Sequence, residues 1–250
     1  MAAPPSPAPP VVRCGVVAST QSVAFSLAAD GAEDRTVVVA DHQTMGRGRR
    51  GHDWVDAPGE SLLVSIVVRP RLPQALLPAV GLMTAVVVAD ALAALTDLAP
   101  RLKWPNDVLV RRRKVAGILV ESRTTPTPVL VVGVGVNLNQ TSLPPSLGGR
   151  ATSVRLETGR SVDRDAALVA VVAGFDEWRV RLERQGFAPV RERWLALADT
   201  VGRQVTVDGL AGVAVGLDAD GALLVEDGGA VRRVTAGEIT ESEVGDAPRR

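Results

Sequence analysis

Apolar and polar positions recur along this chain with periods that change from segment to segment, and each change marks an element. Residues 11–19 form a short apolar run read as a strand, after which Ser19-Thr20-Gln21-Ser22 offers N-cap side chains for a helix to about residue 30. The β-branched runs 36–41 (TVVVAD) and 61–68 (SLLVSIVV) predict buried strands. Residues 73–98 are apolar and alanine-rich and predict a long helix. Segments 102–104, 108–111 and 115–122 predict strands, with turns at Pro105-Asn106-Asp107 and around 111–114, and 128–138 (PVLVVGVGVNL) predicts a further buried strand. Helices are predicted over 163–183, started by Ser161 or Asp163, and over 188–197. The character then changes. Segments 204–207, 210–217, 222–226 and 231–235 are short strands separated by Asp-Gly turns, the spacing of a small barrel.

These elements predict an α+β protein: a mixed β-sheet packed with helices over residues 13–198, and a small barrel over 199–244. A Pro/Ala tail (1–12) and a short tail (245–250) complete the expected organisation. The first ten residues have neither a basic stretch nor an apolar core, so they do not read as a signal peptide. Residues 75–95 come nearest to a membrane span, but Pro78, Thr84 and Asp90 interrupt them, and no membrane partner is expected. Hydrophobic content of 46% and charged content of 22% are ordinary for a soluble globular protein. Zero net charge argues against a partner bound through its phosphates, so no DNA partner is expected. The single cysteine, Cys14, permits no internal disulfide and fits a reducing, cytoplasmic compartment.

Of 28 basic residues only two are lysines, Lys103 and Lys114, and both fall in one stretch. Coding bias accounts for the arginine excess but not for that clustering. Lysine is a compact point charge that arginine's planar fork does not replace in a shaped site. Three segments can carry chemistry. Gly46-Arg-Gly-Arg-Arg-Gly51 matches the letters of a dinucleotide fingerprint, but His52-Asp-Trp-Val-Asp-Ala-Pro58-Gly59 follows it rather than a helix, which excludes that reading. Residues 42–60 instead read as a long structureless loop of functional kind, in which open glycine N–H groups and the forks of Arg47, Arg49 and Arg50 suit an anion. A solvated basic loop is the bland alternative. The second segment is Lys103-Trp-Pro-Asn-Asp107 with Lys114-Val-Ala-Gly-Ile-Leu-Val-Glu121. Its Asn106-Asp107 pair suits a base edge, a ribose or a Mg²⁺ ion escorting phosphates, and equally suits a plain turn. Gly117 permits close approach of a ligand or backbone. The third is Gly133-Val-Gly-Val-Asn137-Leu-Asn139, either a binding floor or a strand end with turn residues. His42 and His52, the only histidines, have no partner at ligand spacing, so no zinc site is expected.

Taken in order, Ser19-Thr20, Gly46–Trp54, Lys103–Asp107, Lys114–Glu121, Gly133–Asn137 and the C-terminal barrel resemble the biotin–protein ligases, and the match covers nearly all the chain after residue 12. The resemblance implies a class II synthetase-like catalytic domain with an SH3-like barrel. It implies the single-function form, without an N-terminal DNA-binding domain. The activity implied is ATP-dependent: biotin becomes biotinyl-5′-AMP and is then transferred to one lysine of a biotin carboxyl carrier domain of acetyl-CoA or another acyl-CoA carboxylase. ATP and Mg²⁺ would be the cosubstrate and activator, and a homodimer is compatible. By the same resemblance Lys114, Arg47 and Arg49 would be catalytic. Ser19, Thr20, Gln43, Gly48, Arg47, Lys114 and Gly117 would hold biotin. Arg49, Arg50, Trp54, Asn106, Asp107 and Asn137 would hold ATP, with Asp107 near Mg²⁺. Gln21 stands where the family has Asn, and His52 where a third loop arginine is common. A lipoate–protein ligase is the nearest competing reading, though its Arg-Arg-x-Ser-Gly-Gly-Gly loop is missing. A silent module that binds biotin or the carrier is the other.

Overall fold

The structure, a computed structural model, describes residues 8–124, 128–147 and 149–241. The expected terminal tails therefore lie largely outside the described residues. In chain order the elements are β1 (Val11–Val17), α1 (Thr20–Ala29), β2 (Val37–Gln43), β3 (Ser61–Val68), α2 (Ala79–Leu95), β4 (Arg101–Lys103) and β5 (Asp107–Val110). Then follow β6 (Arg113–Arg123), β7 (Val129–Asn137), α3 (Val154–Thr158), α4 (Arg164–Gln185), α5 (Ala188–Leu197) and the short strands β8 (Gln204–Val207), β9 (Leu210–Leu217), β10 (Leu223–Asp227), β11 (Ala230–Val234) and β12 (Ile239–Glu241). The chain forms two compact units, each made from two stretches. One runs up to Arg71 and resumes from Val115 to Leu168; the other takes Leu72–Lys114 and the chain from Val169 onward. This division runs across the boundary expected near residue 199.

The first unit is built on strands in the order β1-β2-β3-β7-β6. The β1–β2 pair is parallel and the others antiparallel, so the sheet is mixed. Every residue of β3 is buried and nearly every residue of β7, which explains their unbroken apolar runs. Helix α1 covers one face. Its buried positions include Gln21, Ala24, Phe25 and Ala28, the i, i+3, i+4, i+7 spacing of a single helix face. Ala24, Phe25 and Ala28 pack on Val38, Val67, Val129 and Val131 of the sheet. Gln21 continues that face with an amide, and the amide directs the site described below.

In the second unit α2 is a core helix. Residues Gln74–Leu95 are long and apolar enough, by length and composition, to cross a membrane, and 67% of an apolar 18-residue stretch within them is buried inside the protein. The expected interruptions are absorbed locally. Thr84 donates to the carbonyl of Val80 at 2.7 Å within the helix, and Asp90 accepts from Arg193 of α5 at 2.6 Å. The helix proper begins at Ala79, later than expected, after a 3-10 turn at Gln74–Leu76.

Strands β4 and β5 form a hairpin with Lys103 opposite Asp107, so the turn consists of Trp104, Pro105 and Asn106. Trp104 is 2% exposed. Its backbone N–H donates to Thr200 Oγ1 at 2.9 Å and its indole N–H to the carbonyl of Gly221 at 3.1 Å. The hairpin is thus pinned to the C-terminal segment, whose strands pair in the order β11-β10-β9-β8-β12. Truncation of so buried an aromatic leaves a cavity and an unpaired carbonyl. Trp104→Ala is expected to lower unfolding stability by about 3–5 kcal/mol. Denaturant unfolding checks this, and a loss under about 1 kcal/mol would contradict the pinning role.

Candidate active site

The polar groups of the first unit converge on the α1 face of its sheet. Side chains alternate across a strand, so Gly133 and Gly135 of β7 open on the same face as Val131 and therefore beneath α1. Neither glycine is incidental. A Cβ at Gly133 would lie 3.1 Å from Gln21 Cδ and Oε1, and one at Gly135 would lie 2.5 Å from Trp54 Cε2. Gly117 of β6 is the register partner of Gly135, so the floor beside the indole is bare backbone on two adjacent strands. Along β7 the amide of Gln21 and the indole of Trp54 are seated two residues apart, about 7 Å.

Around this floor lies a continuous set of hydrogen bonds. Ser19, Thr20 and Gln21 are all buried. The Thr20 N–H and hydroxyl both donate to Gln43 Oε1, at 2.8 and 3.0 Å. The Ser65 hydroxyl lies 2.8 Å from Thr20 Oγ1 and 3.0 Å from Gln21 Oε1, and its single proton is within donating distance of either. Gln21 Nε2 donates to Glu121 Oε2 at 2.9 Å and to the carbonyl of Val131 at 3.4 Å. Arg47 Nη2 donates to the other oxygen of Glu121, Oε1, at 2.6 Å. Ser19 sits at the N-cap of α1 but its side chain makes no cap bond. Its hydroxyl is buried and meets no hydrogen-bond partner among the described residues. A buried, unmade hydrogen bond costs roughly 1–3 kcal/mol, which points to a ligand acceptor or donor beside Thr20 and Gln43.

The glycine-arginine loop is not structureless, as its composition suggested. Gly48 N–H donates to the carbonyl of His52 at 2.7 Å, Trp54 N–H donates to the carbonyl of Gly46 at 3.0 Å, and Arg47 bridges Asp53 in antiparallel fashion. The loop closes on itself as a small hairpin. Gly46 is obligatory there, because a Cβ would come 2.2 Å from the Trp54 carbonyl oxygen. Arg49 and Arg50 lie in its 3-10 turn, with Arg50 at φ 53°. The returning chain brings Asp56 to His42: Asp56 Oδ2 lies 2.8 Å from His42 Nδ1, and Asp56 Oδ1 accepts from the Gln43 N–H at 3.4 Å. The Asp56 side chain is fully enclosed. It thereby steadies Gln43, the acceptor of both Thr20 bonds.

Asn137 shares the floor's face. Its amide already donates to the Thr152 carbonyl at 3.0 Å and accepts from Gln140 at 3.3 Å. In the second unit Lys114 Nζ lies 2.7 Å from Asp107 Oδ1, so the aspartate that opens β5 holds the expected lysine, and Asn106 is the last turn residue before it. The structure thus joins Thr20 to Gln43, with Ser19 the buried residue just before Thr20, sets Trp54 on Gly135 opposite Gly117, and joins Lys114 to Asp107. Ser65, Glu121 and Asp56 were not anticipated. The sole hint for Glu121 is that it ends the Lys114–Glu121 motif.

Fold and site together define a ligase of the acyl-adenylate kind, and the comparisons agree. The chain belongs to the biotin/lipoate A/B protein ligase family, whose model matches residues 14–139. Residues 200–240 match the biotin protein ligase C-terminal domain. The biotin–[acetyl-CoA-carboxylase] ligase of Paracoccus denitrificans is 35% identical over 232 residues, 88% of this chain and 96% of that protein. The bifunctional ligase/repressor BirA of Bacillus spizizenii is 33% identical over 232 residues, 90% of this chain and 71% of that protein. The biotin protein ligase of Aquifex aeolicus, solved with biotin and ATP, superposes with a TM-score of 0.84 at 29% identity, covering 93% of this chain and 99% of that one.

Gly135→Ala places a methyl group inside the space of the Trp54 ring and is expected to expel the indole from the floor. If Trp54 stacks on the nucleotide base, affinity measured by calorimetry should fall roughly 5- to 150-fold, because base–aromatic stacking is worth about 1–3 kcal/mol. Unchanged affinity would remove Trp54 from the nucleotide site.

Proposed function

We infer that this protein is a biotin–protein ligase, which activates biotin with ATP and transfers it to a lysine of a carrier domain. In the first step a biotin carboxylate oxygen attacks the α-phosphorus of ATP, and the bond to the β-phosphate breaks with loss of pyrophosphate. In the second the lysine ε-amine attacks the acyl carbon of biotinyl-5′-AMP, the amide forms, AMP leaves with the anhydride electron pair, and the amine gives up a proton. The first step brings two anions together and in the second negative charge builds on the departing AMP, so positioning and charge stabilisation carry most of the rate.

The observation that carries the reading is the group of buried polar side chains beside the glycine floor. A neutral, cyclic urea needs both donors and acceptors in a small enclosed space. Ser19, with its unpaired buried hydroxyl, and the Thr20–Gln43 pair supply them. Trp54, on its glycine seat, offers a face to adenine, and Arg47, Arg49 and Arg50 offer forks to the carboxylate and phosphates. Gly48 and Gly117 would add backbone groups. Lys114, held by Asp107, is assigned to the carboxylate and α-phosphate, with Asn106 and Asn137 assigned to the nucleotide.

Mg²⁺ is part of the proposal as an ion carried in on ATP. Among the described residues no three His, Cys, Asp or Glu side chains gather into a metal cage. Asp107 alone, with one oxygen already on Lys114, fits an ion whose remaining ligands are phosphate oxygens and water. The partner proposed is the biotin carboxyl carrier domain of an acyl-CoA carboxylase. The free thiol of Cys14 suits a reducing cytoplasm as the site of action.

The test is pyrophosphate exchange into ATP, run with biotin and with lipoate. Exchange with biotin is expected; exchange with lipoate alone would reassign the substrate, and exchange with neither would refute the enzyme. Lys114→Ala should slow exchange by roughly 10²–10³, the usual loss for one preorganised charge-stabilising donor. Near-normal turnover would contradict its assignment. Lys114→Arg should also be poor, since a planar fork does not fill the place of a point charge.

A further inference from the structure

Glu121 is bonded through both carboxylate oxygens. Its Oε2 accepts from Gln21 Nε2 at 2.9 Å and its Oε1 from Arg47 Nη2 at 2.6 Å. The two partners differ in kind. Gln21 is 3% exposed and fixed by Ser65 and the Val131 carbonyl, on a helix face packed against the sheet. Arg47 stands on the loop hairpin with its side chain 46% exposed. A carboxylate beside an anion-binding arginine weakens that arginine's attraction for anions, so charge alone does not explain its position. Geometry does. Glu121 takes one of the two Nη2 hydrogens, which leaves the other, together with the Nε or Nη1 donor beside it, for a second carboxylate or phosphate.

We propose, on the basis of the ligase reading above, that Glu121 is a positioning residue for Arg47: it transmits the fixed position of the core amide of Gln21 to the loop arginine that meets the substrate anions. A free arginine side chain samples many rotamers. Fixing it in advance removes the ordering cost from the adenylation step, and small misplacements of such a group are expensive in rate. The longer side chain of Gln21, in place of the Asn usual for the family, reaches the carboxylate of Glu121 from α1. The ureido pocket and the anion loop are therefore joined by one line of bonds: Gln43, Thr20, Ser65, Gln21, Glu121, Arg47.

A double-mutant cycle in biotin-dependent pyrophosphate exchange tests this, with kcat and KM for biotin and ATP measured for the native chain, Glu121→Ala, Arg47→Ala and the double variant. Glu121→Ala is expected to lower kcat about tenfold, and to change kcat less than twofold once Arg47 is already alanine, because its effect passes through Arg47. Equal losses in both backgrounds would show a merely structural role and overturn the proposal, as would an unchanged kcat in the native background. Thermal melts accompany each variant, and Glu121→Gln, which keeps the volume and an acceptor, runs the same cycle should the alanine variant fail to fold. A native chain without biotin-dependent exchange would instead refute the ligase reading, and the proposal with it.

Discussion

Two absent methyl groups organise the site. With side chains at Gly133 and Gly135 the α1 face of β7 would be one more apolar surface, like the Val131 stretch before it. Without them the amide of Gln21 and the indole of Trp54 come down onto backbone. The sheet supplies the rigidity for this. β7 pairs with β3 along one edge and β6 along the other, so its backbone groups are committed to ladders and its face does not shift. A flat indole against bare backbone then leaves its other face for a planar ligand.

Polar groups beside such a core must satisfy one another, or wait for a ligand that will. Gln21 lies on the packing face of α1 with Ala24, Phe25 and Ala28, where an unpaired amide would be costly. Its bonds to Ser65, Val131 and Glu121 offset that cost, and they carry order outward to Arg47. The buried Ser19 hydroxyl meets no hydrogen-bond partner among the described residues, and on the proposed reading the substrate supplies one. Low local dielectric strengthens each bond made and raises the cost of a bond left unmade. A site built this way recognises a ligand by what completes it.

The fold was legible wherever one period ran long enough. β3, α5, β8 and β9 fall where the pattern of hydrophobic positions places them, because their burial is continuous or regular. Short elements were harder to read. α3 has five residues and β12 three, too few for a period to declare itself. The loop at 42–60 read as structureless because its hairpin is held by backbone bonds among Gly46, Gly48, His52 and Trp54, which leave no hydrophobic trace. Trp104 read as the end of a short strand before the Pro105-Asn106-Asp107 turn, with no sign that its indole is enclosed and bonded to Gly221, 117 residues on. Within the site, Lys114 and the loop arginines were legible as charges in unusual company. Glu121, Ser65 and Asp56 were not, since each acts on a residue 14 to 100 positions away and only the folded sheet brings them together.

Recognition by this one glycine-floored face is the central claim, and a crystal structure with a hydrolysis-resistant analogue of biotinyl-5′-AMP tests it most directly. The account predicts the ureido ring bonded to Ser19 and Thr20, the adenine stacked on Trp54 above Gly135, and Arg47 on the acyl-phosphate link with Glu121 still on its Nη2. An analogue bound away from Trp54, or a Ser19 hydroxyl still unpaired in the complex, would contradict it.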